Sequence, residues 1–312
     1  MLAAMSEPPK SDGAIAAYWK RLGLPGLADI HVHFLPENML AKVWAYFDAA
    51  QQNYGRAWPI HYRLAEDQRL HLLRTFGLRG IPSLTYPHKA GMAEWLNIWC
   101  ADFAGRVPDA VHSATLYPED DVERYVRQAL ARGAWLFKMH VQVGVFAPDD
   151  ERLDPAWAQI QEAGAPVVLH AGSAPRPGEF TGPRPVRALL EKFPKLTLVI
   201  AHLGMSEYDA FADLAFDFDN VHLDTTMAGT DFTNEFSPLP DAYLWRLAEL
   251  GDKVVLGSDF PNIPYPYAHQ IEALERLGFG DEEIAGWLRA AGMTPGPVVR
   301  LPGDPLTVNL WP

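Results

Sequence analysis

This sequence predicts an α/β chain folded as a (β/α)8, TIM-like barrel with a long insertion after its first strand, on three observations. Eight short apolar, β-branched runs alternate with longer runs of helical character. Strands separated by helices pair in parallel through right-handed crossovers, and eight such units close a barrel. Five of the eight runs end in a histidine, a lysine or a carboxylate, and a closed barrel is what gathers all strand ends at one mouth. An open doubly wound sheet is the competing architecture. It would hold the first and last runs far apart, and no GxGxxG or GxxxxGK[ST] phosphate loop follows any run.

Along the chain, residues 1–26 read as an N-terminal extension, 27–301 as one barrel domain and 302–312 as a tail. The predicted strands are 27–33, 80–86, 111–116, 134–140, 166–170, 196–202, 221–226 and 253–259. Asp154 and Pro155 open a helix that Gly164 closes; Asp281 with Glu282 and Glu283 opens another, ended by Gly292. The 183–193 and 242–250 stretches carry Leu and Val at three- and four-residue spacing, one buried stripe each. The 34–77 stretch is too long for a βα loop and holds Trp44, Tyr46, Phe47, Tyr54, Trp58 and Tyr62. It reads as a lid or pocket wall, or else as a helical insertion packed outside. The 228–240 stretch reads as a second lid.

Composition narrows the function classes. Across 312 residues, 48% are hydrophobic and 21% charged, which suits a chain that buries a real core. A net charge of −13 argues against nucleic acid and against an anionic membrane surface as partners. The single cysteine, Cys100, removes disulfide scaffolds and CxxC metal sites; it reads as a small buried hydrophobe. No apolar leader opens residues 1–10 and no run is long enough to span a membrane, so a cytoplasmic enzyme of a small molecule is expected. A homodimer is the expected oligomer.

The chemistry lies at the strand ends. His31 and His33 alternate on one strand and face the same side. His170 ends the fifth run, His202 the sixth and Asp259 the eighth, while Lys138 and His140 sit together near the end of the fourth. Imidazoles with a carboxylate suit one divalent ion, Zn²⁺ first, with Mn²⁺ or another ion as alternatives. An ion with open positions lowers the pKa of bound water from 15.7 toward ~7. Asp259 is the candidate general base, and His202 the candidate for orienting the water or polarising the bond attacked.

Five stretches carry a resemblance. They are Ala28-Asp29-Ile30-His31-Val32-His33-Phe34-Leu35-Pro36, Phe137-Lys138-Met139-His140, Val168-Leu169-His170-Ala171-Gly172, Ile200-Ala201-His202-Leu203-Gly204 and Leu256-Gly257-Ser258-Asp259-Phe260-Pro261. In kind and order they resemble the amidohydrolase-related family (amidohydrolase family 2), including its aminocarboxymuconate-semialdehyde decarboxylase-like group. The resemblance implies metal ligation by His31, His33, His170 and Asp259, with His202 catalytic or beside the ligands. It also raises carbamylation of Lys138 between two metals, against a one-metal site in which Lys138 pairs with a substrate carboxylate or a nearby acid. The ending at 293–301 departs from the family pattern.

Other residues stay open between two readings. His140 is either packed or catalytic. Asp29 is expected as a structural hydrogen-bonder, and Asp224 as a partner of a ligand histidine or a helix cap. Arg176 and Arg184, or His88 and Lys89, would touch substrate or face solvent. Three functions compete: a hydrolase of an ester, lactone or amide; a non-oxidative decarboxylase or hydratase of an aromatic or unsaturated acid; and an inactive barrel used as a scaffold. Arginines in the pocket would favour an acid substrate, and a neutral aromatic pocket the hydrolase.

Overall fold

The computed structural model describes residues 7–290; the expected helix stop at Gly292, the 293–301 ending and the 302–312 tail lie outside them. The strands are β1 (Ile81–Pro82), β2 (Ala110–Val111), β3 (Ser113–Thr115), β4 (Leu136–His140), β5 (Val167–His170), β6 (Leu198–Ile200), β7 (Val221–Asp224) and β8 (Val254–Val255). They are shorter than the sequence predicts. β2 and β3 are one stave broken at His112, and β6 stops at Ile200, two residues before His202. All pairs are parallel, β1 with β2 and β3 through β8 in chain order.

The first predicted strand, 27–33, makes isolated bridges from Leu27 to Leu78 and from Val32 to Phe260. It still joins the two ends of the sheet. Toward β8, Ile30 N–H donates to Leu256 (3.0 Å), Asp259 N–H to His31 (2.9 Å) and His33 N–H to Phe260 (2.7 Å). Toward β1, Leu84 N–H donates to Val32 (3.0 Å). A side chain interrupts the regular ladder: Asp29 Oδ1 accepts from both His31 N–H (3.0 Å) and Ser258 N–H (3.2 Å). The alternation slips there as well. Ala28 and Ile30 pack inside the ring, whereas Val32 packs outside it.

Two cores follow from the pleat. Ala28, Ile30, Leu84, Val111, Leu136, Val168, Val199 and Val255 converge from seven staves to fill the barrel below its mouth. The larger core lies between the staves and the outer helices. In the helix Pro183–Lys192, Val186, Leu189 and Leu190 are the buried stripe. Each such side chain stabilises the fold by about 1.5–3 kcal/mol relative to exposure. Gly164 ends the helix Asp154–Ala163 in a left-handed conformation, φ 65°, as its position predicts. Cys100 is a free thiol within the fold, and burial pushes it up to about 11.

Between the first stave and β1 the chain forms the helices Glu37–Asp48, Ala50–Tyr54 and Glu66–Phe76. The turn after the second of these meets the 228–240 segment. The Trp58 and Phe232 rings pack edge to face at 4.7 Å, and Arg56 donates to the Phe232 carbonyl (2.8 Å) while pairing with Glu235 (3.2 Å). No described helix is long and apolar enough to cross a membrane.

Candidate metal centre

Parallel register delivers the polar side chains to one level. Lys138 pairs with Val168 and His140 with His170, so the β4 and β5 histidines stand side by side. Their rings stack at 3.9 Å and 12°. Inward residues below them are aliphatic, and the next inward residues up each stave are the site. Turns at the strand ends then aim His202 and Asp259, both in left-handed backbone at φ 58° and 68°. Such conformations cost a β-carbon-bearing residue energy and persist where surrounding contacts hold them. Asp224 holds the first: its Oδ1 accepts from His202 N–H (2.9 Å) and from Thr226 N–H (3.0 Å).

His31, His33 and Asp259 each bring one ligand atom to a common point, all within 4.8 Å of one another. The remaining ring nitrogens are spoken for. His31 Nδ1 donates to Asp224 Oδ2 (2.9 Å), with Thr226 Oγ1 at 3.1 Å. His33 Nδ1 donates to the Leu84 carbonyl (2.8 Å). Both rings therefore turn an Nε2 lone pair inward, with the carboxylate and carbonyl partners that metal-binding histidines require. His33 Nε2 then faces Asp259 Oδ1 at 2.9 Å. Two acceptors at that distance need a cation or a proton between them. The donor set, two imidazoles and a carboxylate converging with committed outer nitrogens, fits a divalent ion.

His170 stands apart from this trio. Its Nε2 donates to the Ala174 carbonyl (3.2 Å), so the inward lone pair is on Nδ1. It lines the same cavity, its ring 4.8 Å from that of His202. Lys138, buried, donates from Nζ to His31 Nε2 at 3.0 Å, the lone pair an ion at this point would also use. Burial lowers its ammonium to about 8, against the pull of Asp224 and Asp259, the acids its burial predicts. Burial also keeps His31, His140, His170 and His202 neutral, below the usual imidazole range. Burial alone would raise Asp259; the contact with His33 Nε2, with a proton or cation between the two, and the nearby imidazoles overcome it and hold the carboxyl at about 2. Asp29 does the structural work expected of it. Buried beneath the site and bonded to Ser258 Oγ (2.5 Å) and Tyr267 Oη (2.8 Å), it is pushed up by that burial to about 7.

The cavity over this cluster, about 90 Å³, is walled by Phe47, Tyr54, Trp58, Tyr86 and Phe236 besides the polar residues. His140 lines it; Arg176, Arg184, His88 and Lys89 do not, and all four are exposed, Arg184 in the first turn of the helix Pro183–Lys192. The Arg176 side chain is exposed, near enough to act electrostatically on Tyr54 in the cavity wall, while its carbonyl accepts from Gln142. Tyr86 and Asn262 are site residues that sequence reasoning missed. Their signals were position alone: Tyr86 ends the second predicted strand and Asn262 follows Asp259 by three residues.

A sequence model of the amidohydrolase family matches residues 28–290, most of the chain and all of this cluster. The chain belongs to the amidohydrolase family. That is an enzyme family, typically metal-dependent, in keeping with the His31, His33 and Asp259 trio. Solved structures similar to this amidohydrolase include an uncharacterized TIM-barrel protein from Bordetella bronchiseptica, at 18% identity and TM-score 0.64 over 85% of this chain and 94% of that one. A second is an amidohydrolase II, at 20% identity and TM-score 0.56 over 84% and 96%. A third is a probable 2-pyrone-4,6-dicarboxylic acid hydrolase from Acinetobacter baumannii, at 15% identity and TM-score 0.56 over 85% and 97%. These likenesses establish the TIM-barrel fold. Among curated proteins, none matches the sequence.

Proposed function

We propose that this amidohydrolase cleaves an ester, lactone or amide bond in a compact, uncharged small molecule. One divalent ion, Zn²⁺ by donor chemistry, would be held by His31, His33 and Asp259, with His170 Nδ1 as the further ligand. When bound, such an ion supplies Lewis acidity and makes water acidic near neutral pH. Asp259, ionised beside His33, accepts the proton of the attacking water as its oxygen bonds to the carbonyl carbon. The same carboxyl then passes that proton to the departing oxygen or nitrogen, leaving an acid and an alcohol or amine. His202, pinned by its own N–H to Asp224, orients the water.

The observation that carries the hydrolase reading over decarboxylation is the cavity wall. Among the described residues no arginine lines it, and aromatic rings make up much of the wall. A substrate carboxylate would find no guanidinium in the wall itself. The test is a panel of phenyl acetate, dihydrocoumarin and acetanilide against salicylate and 2,6-dihydroxybenzoate, with zinc-loaded protein. Hydrolysis of the first group supports the proposal. Carbon dioxide release from the second group, without hydrolysis of the first, overturns it.

A further inference from the structure

Two donors on the wall of this cavity have no acceptor among the described residues. The Val143 backbone N–H points at His140 Nδ1 (3.3 Å). A backbone N–H can only donate, so Nδ1 carries the lone pair and Nε2 carries the hydrogen. His140 stacks on His170 at 3.9 Å, which fixes its ring plane. Beside it, at 5.0 Å between centroids, lies the ring of Tyr86, whose other edge meets His33 at 5.7 Å. The Tyr86 hydroxyl makes no hydrogen bond among the described residues, and the half-buried ring lines the cavity. The hydroxyl is therefore free to donate to a molecule that enters the cavity.

The charged groups nearby lie against the histidines of the trio. Lys138 Nζ serves His31, and Asp259 Oδ1 serves His33. What Tyr86 and His140 offer a ligand is a pair of neutral donors next to the proposed reacting water.

Resting on the hydrolase reading above, we propose that Tyr86 Oη–H and His140 Nε2–H together receive the carbonyl oxygen of an uncharged, planar acyl compound, an aryl ester or an aromatic lactone. The donors hold that oxygen as water adds to the carbonyl carbon and negative charge moves onto it. Their hydrogen bonds strengthen at that moment, and both protons stay where they are as the carbonyl re-forms and the alcohol leaves. Fixed donors aimed at developing charge are worth about 10²–10³-fold in kcat each. The rings of Phe47, Trp58 and Phe236 supply the face for the planar group.

The test uses zinc-loaded protein and the variant Tyr86→Phe. With phenyl acetate and dihydrocoumarin, the variant should keep its metal, hold KM within about threefold and lose about 10²-fold or more in kcat. A merely packed tyrosine would leave kcat within a few-fold, and that result overturns the proposal. Calorimetric binding of benzamide and of benzoate separates this proposal from the hydrolase reading, because neither needs turnover. Benzamide should bind the parent protein more tightly than benzoate, and Tyr86→Phe should weaken benzamide about tenfold. If the parent hydrolyses neither substrate but shows this binding pattern, the hydrolase reading fails and the donor pair stands. If benzamide binds both proteins equally, or benzoate binds better, the donor pair is wrong. Should Tyr86→Phe fail to fold, His140→Phe, which keeps a ring stacked on His170, takes its place with the same outcomes.

Discussion

Asp224 Oδ2 lies 2.9 Å from His31 Nδ1, while its Oδ1 holds the backbone N–H of His202. One fully buried carboxylate thus sets the tautomer of His31 and the turn that carries His202, the proposed ligand and water-orienting residue. Asp224→Asn keeps the shape and removes the charge. Metal affinity should fall about 10–100-fold, the usual cost of losing such a partner. Competition with a chelator measures it; unchanged affinity would mean that Asp224 only packs.

Gly257 lies where no side chain fits. A β-carbon there would sit 2.2 Å from Thr226 Oγ1 and 3.0 Å from both Asp224 Cγ and His31 Cβ. Gly257→Ala should therefore destabilise the fold by about 1–3 kcal/mol and part Asp224 from His31. A lowered melting temperature with reduced zinc content is expected. A fully zinc-loaded variant of parental stability would contradict the geometry.

Lys138 decides between one metal and two. In a one-metal site an ion takes the His31 lone pair and Lys138 is no ligand, so Lys138→Met should still bind about one zinc per chain. If the parent carries two and the variant loses one, Lys138 bridges them as a carbamate.

His222 gives a pH dependence away from the site. Burial, with Lys253 adding to it, lowers this imidazole from 6.5 to about 4, and its Nδ1 is buried without a partner. The folded protein thus keeps His222 neutral while the unfolded chain protonates it readily. Its contribution is fully present above pH 6.5, is lost as pH falls toward 4, and levels off below. His222→Gln should flatten urea-derived stability in that window by up to about 1.4 kcal/mol per pH unit. An unchanged slope would show that His222 titrates alike in both states.

Much of this site was legible in the residues because a strand's alternation and a barrel's convergence are simple rules. His31, His33 and Asp259 needed nothing more. His170 was placed in the right cavity, but its ring orientation depends on a loop carbonyl, Ala174, which no pattern reveals. Strand lengths were overestimated because left-handed turns at His202 and Asp259, and the Asp29 side chain inserted into the ladder, end the pairing early. Arg176 and His88 read as substrate contacts from chain position; both are exposed and neither lines the cavity wall. Tyr86 and Asn262 bear no motif, and only the fold brings them to the cavity.

The most direct measurement is anomalous diffraction at the zinc edge from crystals of zinc-loaded protein. A single strong peak between His33 Nε2, Asp259 Oδ1 and His31 Nε2 is predicted. A protein that takes up no zinc, or that places its peak away from these three atoms, would contradict the shared-cation site.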